Sequence, residues 1–391
     1  MLVAGTCIGS GMIALPLMLA KLGLIPSILL MLLIAGITYF TSLVSLELNL
    51  QAGEGLSLGE LGKKFSGRMA EMIGYASLKL LSFSLLAVFI YAGTSIINKL
   101  LSSHHDFTTV ATGYALVAVL ILLLPIRFVD YINRILFIGL ILVVTILVIG
   151  LASMISWNDL PLFAEKYTDI YTWMTIIPIV FTSFGFQVIF HTLTNYCNKD
   201  AKILKQAFLW GSFLPAVVYI VWTSSILIVI HHENPIFYQS MITGNIEVGD
   251  LIHQLSIIAK WQSIQFLVWW ISLLAIVTSV LGVGIGLYES LKRFYDKLVS
   301  HNILSSVLSS ITTILPAYLL AVLIPNAFII ALGFAGMILV IIAIIEPIYL
   351  LSRVKIKSYY YPELSYKPLI YSCVVIGIVI IGCEIINLIN S

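Results

Sequence analysis

Runs of about twenty apolar residues, each long enough to cross about 30 Å of hydrocarbon as a helix, follow one another along almost the whole chain. They fall near 1–20, 25–50, 72–98, 109–126, 134–154, 171–195, 206–230, 257–288, 303–324, 327–351 and 367–389. Few folds are open to such a chain, because in lipid every backbone N–H and C=O must be satisfied within the protein, and a lone spanning segment achieves that only as a helix. With 391 residues, 60% of them hydrophobic and only 10% charged, and a mean hydropathy of +1.09, the runs are too many to hide inside a soluble core. The sequence therefore predicts an all-α polytopic membrane protein with eleven transmembrane helices.

Lys and Arg set the orientation, since loops on the cytoplasmic side retain positive charge. One alternate set of connections holds Lys63, Lys64, Arg68, Arg127, Arg134, Lys199, Lys202, Lys205, Lys292, Arg293, Lys297, Arg353, Lys355, Lys357 and Lys367, whereas the other holds only Lys21, Lys99, Lys166 and Lys260. This asymmetry predicts a cytoplasmic N-terminus and, with an odd number of spans, a C-terminus outside. The basic loops then face an anionic leaflet, and the net charge of +2 carries no suggestion of nucleic acid.

Two runs are poor helices. The first contains Gly5-Thr6-Cys7-Ile8-Gly9-Ser10-Gly11-Met12, and the sixth contains Ile177-Pro178-Ile179-Val180-Phe181-Thr182-Ser183-Phe184-Gly185-Phe186-Gln187. Either stretch alone is compatible with close helix packing, and Gly5-x-x-x-Gly9 fits a small-xxx-small contact. Together, five spans apart and running in opposite directions, they match two inverted five-helix units that each begin with an interrupted helix. That pattern points to a solute site near the midplane. The expected organisation is a first five-helix repeat over 1–154, an inverted second repeat over 171–351, and an additional, peripheral helix over 367–389.

Such breaks suit a zwitterion. A half-helix beginning near Gly11 offers unpaired N–H groups and the positive end of its dipole to a carboxylate. Gly9 and Gly11 allow close approach to the backbone, and carbonyls ending the first halves of both runs can accept from an ammonium group. The candidate substrate-binding residues are Thr6, Ile8, Gly9, Ser10 and Gly11 in run 1, with Phe181, Thr182, Ser183, Phe184, Gly185, Phe186 and Gln187 in run 6. The phenylalanines favour an aromatic or large neutral side chain, or else serve as packing.

Gly5-Thr6-x-Ile8-Gly9-x-Gly11-Met12-x-Ala14-x-Pro16, Leu46-Glu47 in run 2, and Pro178-x-x-Phe181-Thr182-Ser183-Phe184-Gly185-Phe186 resemble the hydroxy and aromatic amino acid permeases. These are the bacterial tyrosine-specific and tryptophan-specific transport proteins of the amino acid–polyamine–organocation superfamily. The resemblance covers nearly the whole chain. It implies a leucine-transporter-like 5+5 fold, a bacterial inner-membrane location, and uptake of an aromatic amino acid, tyrosine foremost, by proton symport with alternating access. The family usually has His after Phe-Gly-Phe; here Gln187 stands there, and His191 follows one turn later.

Intramembrane ionisable groups are functional candidates. Glu47, Lys79, His191, Glu289 and Glu346 lie toward the cytoplasmic ends of their runs and Glu384 toward an outer end. Lys79 either snorkels or takes part in coupling or gating. For Glu47, Glu289 and Glu346 a gate or loop-anchoring salt bridge is expected, and His191 could titrate near neutral pH. Thr278 and Ser279 offer adjacent hydroxyls that suit Na⁺, or simply bond the carbonyl four residues back. Sodium coupling thus stands beside proton coupling, with a neutral amino acid as cargo.

Phosphate-loop, zinc-protease and nucleophile-elbow motifs are absent from the sequence, so an enzyme is not expected. His104-His105 and His231-His232-Glu233 lack the further ligands of a metal site, and Cys7, Cys197, Cys373 and Cys383 lack metal-ligand spacing. No cofactor or metal is called for beyond a coupling H⁺ or Na⁺. The expected partners are a small amino acid and membrane lipids, with no nucleic acid and no obligatory protein partner. A non-transporting amino-acid sensor is the alternative from another class, and it would call for a cytoplasmic signalling extension. Only four residues precede Gly5, which leads us to expect native residues upstream of Met1.

Overall fold

The structure, a computed structural model, describes residues 10–100, 106–124, 126–152, 160–187, 190, 193–194, 197–244, 246–258, 262–296, 298–299, 301–324, 327–355 and 358–390. Among these the chain is helical without strands. The helices are α1 (Ser10–Leu19), α2 (Leu24–Ala52), α3 (Leu58–Phe65), α4 (Arg68–Leu100), α5 (Phe107–Leu122), α6 (Ile126–Ala152), α7 (Ile170–Ser183), α8 (Ala201–Glu233), α9 (Pro235–Thr243), α10 (Val248–Ile258), α11 (Gln262–Tyr295), α12 (Asn302–Leu323), α13 (Ala327–Val340), α14 (Glu346–Arg353) and α15 (Lys367–Asn390).

Six described helices are long and apolar enough to cross a membrane: α2, α4, α8, α12, the continuous α13–α14 rod from Phe328, and α15. Their outward faces carry Leu29, Leu33, Trp210, Phe213, Val375 and Ile378, each more than half exposed. Water would not tolerate a surface this apolar, so hydrocarbon is its natural solvent. Several polar side chains inside the spans are spent locally: Thr38 donates to Ile34 O at 2.9 Å, Ser84 to Leu80 O at 2.9 Å and Thr313 to Ser309 O at 2.7 Å.

Several boundaries depart from the sequence reading, and α6 begins at Ile126 where the fifth run was read from 134. Run 8 does not begin at 257: Ile257 and Ile258 end the separate helix α10, and the long helix starts at Gln262. The short helix α3 lies in a connection read as plain loop; a Cβ at its Gly59 would collide with the Tyr75 ring and one at its Gly62 with the Ala70 backbone, while a Cβ at Gly74 of α4 would meet Gly59 N.

Two connections place the broken runs side by side. Gly23, with φ of 84°, turns the chain from α1 into α2 in a conformation that favours glycine. Around it, Leu24 N–H donates to Pro161 O at 2.9 Å and Ala164 N–H to Leu22 O at 3.1 Å. The segment leading into α7 is thereby tied to the turn leaving α1. Helix α15 rests on α7 and α13 with its remaining face exposed, so it lies at the edge of the bundle yet supports α7.

Candidate substrate site

α7 ends inside the bundle, where the sequence predicted a break. Its last turn tightens, with Phe184 N–H donating to Phe181 O at 3.2 Å and Gly185 N–H to Thr182 O at 2.9 Å, the three-residue spacing that commonly closes a helix. Past the break, Phe186 N–H finds no helical carbonyl and donates to the Gln187 side-chain oxygen at 2.9 Å. The break leaves the Ser183 carbonyl without an intrahelical partner, and the Tyr219 hydroxyl donates to it at 2.9 Å.

The first run supplies α1, whose described part begins at Ser10. Pro16 has no N–H, so the Met12 carbonyl four residues earlier loses its helical donor. Trp222 Nε1 replaces it at 2.7 Å. Pro178 leaves the Met174 carbonyl in the same position, and Asn387 Nδ2 of α15 donates to it at 3.0 Å. Tyr219 and Trp222, both fully buried, are one turn apart on α8, which therefore holds α1 and α7 together. A helical proline leaves a carbonyl that needs a donor, so the sequence could have signalled the need, but not which side chain would answer it.

The two helices α1 and α7 also touch. A Cβ at Gly11 would lie 2.6 Å from Ser183 Cβ, so this glycine permits helix contact. Thr182 is used structurally as well, its hydroxyl lying 2.8 Å from Pro178 O and 2.9 Å from Leu332 O of α13; Ser183 Oγ donates to Ile179 O at 3.0 Å. Gly336 of α13 meets the same Pro178 carbonyl, and Gly185 meets the Leu339 side chain.

The aromatic residues form two groups on α8, about 16 Å apart along its axis. Phe184 meets Tyr219 edge-on at 5.3 Å, while Phe186 and Phe190 cluster with Phe208, the latter pair stacked at 4.7 Å. Phe181 is fully buried. Beside the second group is a cavity of about 50 Å³ lined by Ser45, Asn49, Leu58, Leu78, Gln187 and Ile342 among others. Only a water or two fits there. Gln187 Nε2 is buried with no acceptor among the described residues.

Thr6, Ile8, Gly9 and His191 lie outside the described residues, as does the side chain of Ser10. The ionisable candidates are scattered. Glu47 is fully buried, but no salt bridge holds it among the described residues; its carboxylate accepts from Gln51 Nε2 at 2.7 Å and from the Tyr360 and Tyr361 amides at 3.2 and 3.1 Å. It anchors the α14–α15 connection. Lys79 and Glu289 are half-buried and form no ion pair among the described residues. Thr278 donates to Leu274 O at 2.8 Å, the back-bond common for hydroxyls inside helices. Glu346 is 4% exposed and has no hydrogen-bond partner among the described residues.

The model of the tryptophan/tyrosine permease family matches residues 1–384. The chain is 26% identical to the tyrosine-specific transport system 1 of Haemophilus influenzae over 356 residues, covering 91% of this chain and 87% of the relative. It is 29% identical to the tryptophan-specific transport protein of Pseudomonas aeruginosa, with coverage of 89% and 83%, and 28% identical to glutamine transporter 2 of Aliivibrio fischeri, with coverage of 92% and 89%.

Proposed function

The chain belongs to the tryptophan/tyrosine permease family, and from that premise we propose that it takes up an aromatic L-amino acid, tyrosine or tryptophan, across a bacterial inner membrane by proton symport. As a permease it is no enzyme. The observation that carries the reading is the meeting of α1 with the broken end of α7 at Gly11 and Ser183, braced by Tyr219 and Trp222. Backbone opened at membrane depth persists where it lines a protein-enclosed site. Amides at the start of α1 suit the carboxylate and carbonyls at the end of α7 suit the ammonium group. Phe184 and Tyr219 offer the aromatic surface.

In this reading the two five-helix units are inverted repeats with the N-terminus cytoplasmic. A bundle of α1, α2, α7 and α8 rocks against the remaining spans. Gly11 and Ser183 would separate as substrate enters, since at contact they leave no room for it. A neutral side chain such as that of glutamine is the second reading, favoured by the similarity to a glutamine transporter and by Gln187 Nε2, which has no acceptor among the described residues. Sodium is the alternative coupling ion.

Purified protein in liposomes, given labelled tyrosine, tryptophan or glutamine under an imposed pH gradient and then a sodium gradient, tests both points. Accumulation of tyrosine or tryptophan driven by the pH gradient is expected. Glutamine uptake alone would shift the cargo, sodium dependence the coupling ion, and uptake blind to both gradients would end the symport reading.

A further inference from the structure

Pro347 cannot donate to Ala343 O, and its ring crowds that carbonyl. The chain answers with a wide π turn over Ile341–Ile345, in which Glu346 N–H donates to Ile341 O, five residues back. Such turns inside helices are frequent at functional sites. This one places Glu346 in the interior. The residue is 4% exposed, and no donor reaches either carboxylate oxygen among the described residues. Its carboxylate lies where α3 crosses α4: Oε1 would be 3.0 Å from a Cβ at Gly74, with Gly59 N only 2.7 Å from that same point.

The charged and titratable groups on the surrounding elements do not neutralise it. Glu47 of α2 is held by loop amides, and Glu60 of α3 is engaged with Ser57. Lys63 pairs with Glu71 of α4 at 3.3 Å, and Lys64 pairs with Glu54 at 3.0 Å. On α14 itself Arg353 stands over the Tyr349 ring at 5.1 Å, and Tyr349 bonds Ser66. Arg68, Tyr75 and Lys79 of α4, and Cys373 of α15, form no bond to the carboxylate. An ionised carboxylate buried without a partner is so costly that the group takes up a proton instead.

Ile342, one turn before Glu346, and Leu78, one turn after Gly74, both line the cavity that reaches Gln187 at the break in α7. We propose that Glu346 is the proton-carrying carboxyl of the transport cycle. It is protonated in the conformation seen here; when the cavity widens toward the basic end of the bundle, water reaches the carboxyl, its O–H bond breaks and the proton leaves to that water. The assignment rests on the proton-symport reading and names its residue.

The test uses full-length protein in liposomes with labelled tyrosine, measuring accumulation under an inward proton gradient and, separately, exchange of labelled for unlabelled tyrosine with no gradient. Glu346→Gln, a mimic of the protonated form, is expected to keep exchange and lose gradient-driven accumulation; Glu346→Asp is expected to keep both. Wild-type-like accumulation by Glu346→Gln would overturn the assignment while leaving proton symport standing. Loss of exchange in both variants would make Glu346 a packing residue, and overturn it too. A wild type that exchanges tyrosine but ignores the gradient would overturn the symport reading and the assignment with it.

Discussion

Proline and glycine do their work here through what they lack. Pro16 and Pro178 each withhold an N–H, and in each case a side chain from a neighbouring helix, Trp222 or Asn387, supplies the missing donor. Removing such a donor leaves a buried carbonyl unpaired, at a cost of about 1–3 kcal/mol. Trp222→Phe should therefore lower thermal stability and loosen α1. Tyr219→Phe strips the hydroxyl from Ser183 O but keeps the ring against Phe184, so it should weaken substrate binding more than it lowers stability. Melting curves with and without tyrosine separate the two effects. The break after Ser183 was legible in the sequence because Pro, Gly and hydroxyl residues in an apolar run conflict with a continuous helix. Tyr219 and Trp222 were not, since an aromatic residue in a spanning run looks the same whether it faces lipid, a neighbouring ring or a stranded carbonyl. Thr182 and Ser183 were legible as polar, yet their hydroxyls serve helix carbonyls first.

At the scale of elements, the turn between α13 and α14 depends on one residue. Pro347→Ala restores an N–H to Ala343 O, so the π turn should relax to α-helix and rotate Glu346 by about 100° relative to α13. Gradient-driven uptake should then fall while the helix itself gains stability; a variant that is more stable and equally active would separate the turn from function. The α14–α15 connection is fastened to two spans, through Glu47 on α2 and through Lys205 and Ala201 O on α8. The Lys205 ammonium holds the Glu363 carboxyl below the usual carboxylate range. A lowered folded-state pKa stabilises above the unfolded value, about 4.3 for Glu, and that stability is lost as pH falls through the folded value. Wild type should thus melt slightly above Glu363→Gln at pH 7, by less than about 1 kcal/mol because the pair is partly solvated, and the two should converge in acid. Runs of hydrophobicity revealed the six long apolar helices found among the described residues, but α3, α9 and α10 are too short and too mixed in composition to stand out from loop sequence.

For the whole molecule, helical membrane architecture followed from hydropathy because lipid leaves the backbone so few alternatives. The pairing of the first and sixth runs followed from their shared Gly, Pro and hydroxyl pattern, but the tie between the Gly23 turn and Pro161 did not, because it consists of backbone hydrogen bonds that no side-chain pattern encodes. With the N-terminus cytoplasmic, a cysteine introduced at Lys64 should react with an impermeant maleimide only from the inner face of the membrane, and one at Asp250 only from the outer. The opposite pattern would invert the topology. The account as a whole rests on the junction of α1 with the broken end of α7 being where the amino acid binds. Equilibrium binding of labelled tyrosine and tryptophan to purified wild type and Gly11→Val tests this most directly, with size-exclusion profiles confirming that both are folded. Binding by wild type and its loss in Gly11→Val, whose methyls would force Ser183 away, is the predicted result; unchanged affinity in the variant would contradict it.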